Sequence, residues 1–64
     1  MTISEALSKL ERVCRENTFM VASAYNPDKD KLFIGIGGGM QPEHEIEADS
    51  LEKGLIELAT LLEQ

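Results

Sequence analysis

The sequence predicts an α+β domain with the element order α-β-β-(β)-α, in which two helices pack on one face of an antiparallel sheet. Apolar residues recur with the helical period near both ends of the chain, and two alternating stretches separated by a turn lie between them. We expect these stretches to form an antiparallel hairpin or, with one more strand, a three-stranded sheet. A single domain of 64 residues has a thin core, so we also expect oligomerisation to complete the fold, with a homodimer as the simplest case.

The first helix is predicted to begin behind Thr2, because Thr2 and Glu5 have the spacing of a capping box. Its end is expected at Asn17, a residue type that tolerates the left-handed conformation. One helical stripe holds its apolar residues, Ile3, Ala6, Leu7, Leu10, Val13 and Cys14. The thiol of Cys14 is therefore expected to be buried and inert.

Two strands follow, from Phe19 to Tyr25 and from Lys31 to Gly37, and the proline and Asx residues of 26–30 predict the turn between them. Residues 43–48 alternate well enough to form a short third strand, with three glutamates on one face. A charged edge strand resists unwanted pairing, and this purpose alone is enough to explain the glutamates.

The second helix is predicted behind Asp49, which has a capping-box partner in Glu52. Gly54 is a poor helix former, and its presence indicates a close crossing against the sheet or another helix. Leucines recur with the helical period, and further apolar residues widen the stripe beyond what one buried face needs. The surplus apolar surface predicts an oligomer interface. Its predicted residues are Ile56, Ala59, Met20 and Ala22.

Four of the five glycines fall within the segment Gly35–Gly39. The segment is not a dinucleotide or Walker loop, because Met40 stands where the last glycine of G-x-G-x-x-G is required and no Lys-Ser/Thr pair follows. Two interpretations remain, a turn or close backbone packing on one side and a ligand- or partner-binding loop on the other. The candidate binding residues are Gly37, Gly38, Gly39, Met40, Glu43, His44 and Glu45.

The net charge of −6 is confined to one part of the chain. Residues 1–42 contain five acidic and five basic residues, whereas residues 43–64 contain seven acidic residues and one lysine. Nucleic-acid binders draw their affinity from lysine and arginine on phosphates, so this distribution argues against a nucleic-acid ligand. It is better suited to a basic protein partner.

Residue composition also argues against catalysis and metal binding. One cysteine and one histidine cannot assemble a zinc cluster or an internal disulfide, and no serine or cysteine has an evident catalytic base. We therefore expect a non-enzymatic protein with neither cofactor nor metal. The lone thiol, together with the lack of a signal peptide or a long apolar run, predicts a cytoplasmic protein with no membrane segment.

The layout of elements is similar to that of the double-stranded RNA-binding domain over most of the chain. Comparable residues of that family lie near Tyr25-Asn26-Pro27, the glycine-ended second strand and Ala48-Asp49-Ser50-Leu51 before the last helix. In that family, basic residues at the start of the last helix contact phosphate. This chain has Asp49, Ser50, Leu51 and Glu52 there, so the resemblance is one of element order and implies no RNA-binding residue.

The sequence supports three hypotheses about function, one for each class of partner. The leading one is a small homo-oligomeric protein-interaction module, that is, an inhibitor, adaptor or regulator of the phage-encoded type, whose acidic C-terminal third docks on a basic surface. The second is an oligomer that binds a nucleotide or metabolite with the glycine-rich loop. The third is a nucleic-acid binder of the double-stranded RNA-binding layout, which the acidity opposes.

Overall fold

The computed structural model describes residues 1–63 and has the order helix, three strands, helix. The elements are α1 (Ile3–Asn17), β1 (Met20–Asn26), β2 (Lys31–Gly37), β3 (His44–Ala48) and α2 (Leu51–Leu62). All strand pairs are antiparallel and the sheet order is β1-β2-β3. The predicted α+β class is confirmed, and the third strand within residues 43–48 is present.

The start of α1 is the predicted capping box. The hydroxyl of Thr2 accepts a hydrogen bond from the Glu5 amide at 3.2 Å, and the Glu5 carboxylate accepts one from the Thr2 amide at 2.9 Å. The bond from the Thr2 amide lowers the pKa of Glu5, because it stabilises the ionised carboxylate. α1 ends at Asn17, as predicted, but the left-handed residue is the one that follows. Thr18 is the left-handed cap, with φ of 58°, while the Asn17 amide donates to the Val13 carbonyl at 3.0 Å.

The predicted capping box of α2 is wrong. Ser50 is the N-cap, and its hydroxyl accepts from the Lys53 amide at 3.3 Å. Asp49 instead pairs with Lys31 at the start of β2, because the β2–β3 register places Leu32 opposite Ala48 and so brings the preceding and following residues together. This ion pair raises the pKa of Lys31 and lowers that of Asp49.

The strand register gives the sheet two different faces. Val21 lies opposite Ile36, and Ile34 lies opposite Ile46, so one face is apolar. The helices cover this face over β2 and β3, whereas Val21 of β1 stays exposed. The other face, here called the open face, has no element of residues 1–63 packed across it other than the loop before β3. Side chains alternate along a strand, so the open face carries Met20, Ala22, Ala24, Phe33, Gly35, Gly37, Glu45 and Glu47.

The core lies between the helices and the covered face of the sheet. Its buried members are Ala6, Leu10, Ile34, Ile36, Leu58 and Ala59. Gly54 is buried where α2 crosses the sheet, and a Cβ atom there would collide with Ile34 and lie 3.1 Å from the Ala48 Cβ. The close crossing expected from Gly54 is therefore made against the sheet. Ala59 is part of this core with no exposed surface, so it cannot contribute to the predicted oligomer interface.

The helices cover the sheet unequally. α2 packs against β2, β3 and α1, whereas α1 packs mainly against α2 and makes little contact with β1. As a consequence β1 is exposed from Met20 through Tyr25, although its sequence is almost entirely apolar.

The position of the α2 cap can be tested by substitution. Ser50→Ala removes the hydroxyl that accepts from Lys53, and we expect it to lower the free energy of unfolding by about 1 kcal/mol. Asp49→Ala removes only an exposed ion pair, so its effect should be smaller. Urea denaturation followed by circular dichroism measures both, and a larger loss for Asp49→Ala would contradict Ser50 as the cap.

Candidate functional site

The glycines of β2 make room for the loop that leads into β3. A Cβ atom on Gly35 would lie 2.8 Å from the Cβ of Pro42, and one on Gly37 would lie 2.8 Å from the amide nitrogen of Glu43. The Glu43 amide donates to the Ile36 carbonyl at 2.9 Å, which holds the loop in this position. No glycine of residues 1–63 has positive φ, so Gly35 and Gly37 are needed for space and not for backbone conformation. These contacts support the close-packing interpretation of the cluster.

The remaining glycines form the turn itself. A Cβ on Gly38 would lie 3.2 Å from the ring of Phe19, whereas one on Gly39 would meet no atom within 4 Å. Met40 follows and is completely exposed. The segment Gly39–Met40 is therefore the projecting tip of the loop.

The open face contains a shallow, mostly apolar groove. Its volume is about 290 Å³, and small residues of β1 and β2 form its floor. Flexible methionines stand at one end of the groove and the Phe33 ring lies toward the hairpin end. The lining residues are Met20, Ala22, Ser23, Ala24, Phe33, Gly35, Gly37, Gly39, Met40, Pro42 and Glu45. The combination of an apolar floor and flexible thioethers suits contact with another apolar surface.

The charges around the groove differ between its two ends. At the hairpin end, Lys29 lies 3.5 Å from the Glu47 carboxylate and 5.8 Å from the centre of the Phe33 ring, and Lys31 pairs with Asp49. Within residues 1–63, Glu45 has no such cationic partner. The groove therefore has one unneutralised carboxylate on its β3 side.

The turn between β1 and β2 is held by polar side chains. Asn26 accepts from the Asp28 amide at 3.0 Å, and the Tyr25 hydroxyl donates to the Asp30 carboxylate at 2.5 Å. This second bond raises the pKa of Tyr25, because ionisation of the phenol would break the bond and place a phenolate next to the carboxylate.

Among residues 1–63, no group of three His, Cys, Asp or Glu side chains could hold a metal ion.

A larger depression of about 500 Å³ lies on the outer side of α1. It is lined mainly by polar and charged side chains such as Ser4, Lys9, Arg12 and Glu63, so it offers a ligand less apolar surface than the groove does. The groove on the open face is therefore the stronger candidate for a binding site.

The structure places the predicted site residues on different surfaces. Gly37, Gly39, Met40 and Glu45 line the groove, as do Met20 and Ala22 of the predicted oligomer interface. His44 lies on the opposite face of the sheet, in register with Ile36, and Ile56 is half-buried against the core. Gly38 and Glu43 are outside the lining.

The sequence interpretation missed the residues of the groove floor and wall. These are Ser23, Ala24, Phe33, Gly35 and Pro42. The strict alternation of residues 32–37 contains the necessary information, since it puts Phe33 and Gly35 on the face opposite Ile34 and Ile36. The proximity of Pro42, in contrast, depends on the path of a loop.

Comparison with family models, curated proteins and solved structures finds no match for this chain. Within the described residues, neither helix combines the length and apolar character that crossing a bilayer requires.

The role of the glycines can be tested with a matched pair. Gly37→Ala places a Cβ against backbone atoms of the loop, and we expect it to lower the free energy of unfolding by about 1–3 kcal/mol. Gly39→Ala meets no atom and needs no unusual backbone angle, so it should be neutral or stabilise by up to about 1 kcal/mol. Equal losses in chemical denaturation would show that close packing is not what Gly37 is needed for.

The bond between Tyr25 and Asp30 can be tested by titration. Tyr25 is the only tyrosine, so ultraviolet absorbance of phenolate reports it alone, and its midpoint is expected above the ordinary pKa of 10.0. Asp30→Ala should return the midpoint to about 10. Because the folded protein holds this proton more tightly, the stabilisation is present below pH 10 and is lost as the pH rises through the folded pKa. An unchanged midpoint in the variant would contradict the bond.

Proposed function

We propose that the protein is a small non-enzymatic interaction module, an inhibitor, adaptor or regulator, which acts as a homodimer and presents acidic surface to a basic protein partner. The observation that carries the proposal is the exposed, uncharged edge strand β1. A reducing compartment suits the single thiol of Cys14, and we therefore assign the module to the cytoplasm.

β1 lacks the devices that normally protect an edge strand. Met20 is 67% exposed and Tyr25 is 57% exposed, yet no charged residue or proline occurs from Thr18 to Asn26. Natural edge strands are usually blunted by lysine, proline or a bulge, because unpaired backbone groups pair with other strands. The opposite edge, β3, carries charged side chains, Glu45 and Glu47, and Glu43 directly precedes it. Strand pairing with a second molecule is therefore directed to β1.

A second copy of the chain fits this edge. Antiparallel pairing of two β1 strands about a twofold axis near Ser23 puts Ala22 opposite Ala24 and Val21 opposite Tyr25, so equivalent faces of the two sheets coincide. Each copy carries a net charge of −6, and association is least opposed where the contact contains no charge. The dimer would contain one six-stranded sheet, with the acidic β3 strands at its two outer edges.

The groove on the open face is poorly suited to a phosphate-containing ligand. Glu45 is the single charged residue among those that line the groove, and a carboxylate there repels phosphate. This electrostatic argument favours the interaction module over a nucleotide-binding or nucleic-acid-binding protein.

The dimer is tested by sedimentation equilibrium. The wild type is expected at about twice the monomer mass of 7.1 kDa, and Ser23→Lys, which brings two like charges together near the axis, is expected to shift it to the monomer. Ser23→Thr keeps strand propensity and should leave the dimer intact.

Ser8→Lys on the exposed surface of α1 changes the net charge equally and is the control for charge. Circular dichroism establishes that each variant is folded. A monomeric wild type, or a folded Ser23→Lys variant that remains dimeric, would overturn pairing through β1.

A further inference from the structure

We infer that the groove on the open face is a docking site for an amphipathic helix of a partner protein, one whose apolar stripe is bordered by lysine or arginine on the side that meets Glu45. The inference deepens the proposed function, since it assigns a position and a chemistry to the partner. It rests on the proposed interaction role but uses residues of a single copy.

The floor of the groove permits close approach of a helix. Ala22, Ala24 and Gly35 present no long side chain, and together the three strands span about 10 Å between the outer strand axes. A helix with side chains has a diameter of about 10–12 Å, so one helix matches the width of this sheet. The opposite face of the sheet is covered over β2 and β3 by the molecule's own helices, whereas only the loop before β3 packs on the open face within residues 1–63.

The rim of the groove supplies adaptable apolar contacts. Met20 is 67% exposed and Met40 is fully exposed, and both line the groove at the end away from the hairpin. Methionine side chains are unbranched and polarizable, and exposed methionines are common where a surface must fit an apolar helix. Phe33 provides a rigid aromatic wall toward the other end.

Charge decides between a basic partner and a second copy on this face. Lys29 and Lys31 at the hairpin end already pair with Glu47 and Asp49 of their own chain, whereas Glu45 has no cation within residues 1–63. The open face of a second copy therefore brings no unpaired cation to Glu45. A helix with lysine or arginine beside its apolar stripe supplies one, and the rest of the acidic C-terminal third would attract it from a distance.

The test uses two helical peptides of about 18 residues that share a leucine stripe and differ only in the flanking residues, lysine in one and glutamate in the other. Binding is measured by fluorescence anisotropy. The wild type is expected to bind the lysine peptide and to reject the glutamate peptide. Glu45→Lys should lower the affinity for the lysine peptide about tenfold and raise the affinity for the glutamate peptide.

Two matched variants separate the groove from general effects. Glu57→Lys changes the net charge as Glu45→Lys does, but on exposed α2 surface, and should leave the affinity nearly unchanged. Phe33→Ala removes the wall of the groove and should lower the affinity for the lysine peptide about tenfold. Leu51 is an exposed apolar residue elsewhere, so Leu51→Ala should leave this affinity unchanged. Circular dichroism establishes that each variant is folded.

The inference is overturned if the wild type binds neither peptide. It is also overturned if Glu57→Lys weakens peptide binding as much as Glu45→Lys does, because the attraction would then come from the overall charge and not from the groove. The inference is also overturned if Phe33→Ala dissociates the dimer but leaves peptide binding intact. That result would assign the open face to a second copy of the chain. Sedimentation of the same samples distinguishes the two proposals. A monomer that binds the lysine peptide contradicts the dimer alone, and a dimer that binds no peptide contradicts the docking site alone.

Discussion

The central strand β2 has branched apolar side chains on one face and glycines on the other, and the rest of the structure is arranged around this difference. Ile34 and Ile36 are fully buried beneath the helices and, with Leu58 of α2, are the largest fully buried side chains of the core. Gly35 and Gly37 face the other way and leave space for the loop that carries Pro42 and leads into β3. One heptapeptide thus determines where the helices pack, how the third strand is reached and why the second face is smooth.

This arrangement has an energetic consequence for a chain of this size. The buried core is small, and α1 is held chiefly by α2 and not by β1. β1 therefore gains its order from pairing with β2, while its side chains and its outer edge stay exposed. An exposed apolar edge next to an exposed apolar groove is costly for an isolated molecule and useful for one that associates. The proposed dimer and the proposed docking site use these two surfaces separately.

The charges show how the fold modifies a pattern that is visible in the sequence. The hairpin lysines lie in the neutral part of the chain, but the register of the sheet places them beside the acidic part, where Lys29 meets Glu47 and Lys31 meets Asp49. The carboxylates at the hairpin end of the open face are paired with lysines in this way, whereas within residues 1–63 Glu45 is in no ion pair. The same pairing explains why Asp49 is not the cap of α2, since its carboxylate is turned toward β2 and the adjacent Ser50 takes the capping role.

Periodicity and local turn chemistry were enough to determine the elements of this protein from its sequence. The helical stripes, the alternation of residues 19–25 and 31–37, and the Thr2 cap depend on neighbours within a few residues, so they are legible in the chain itself. Only the tertiary structure decided that Ala59 is core, that Ser50 caps α2 and that the groove lies on the face of Glu45 and not on the face of His44. The groove likewise depends on the path of the loop over Gly35 and Gly37 and on the shift of the helices away from β1. These features arise from contacts between segments distant in sequence, and no local pattern encodes which of two apolar faces such contacts will cover.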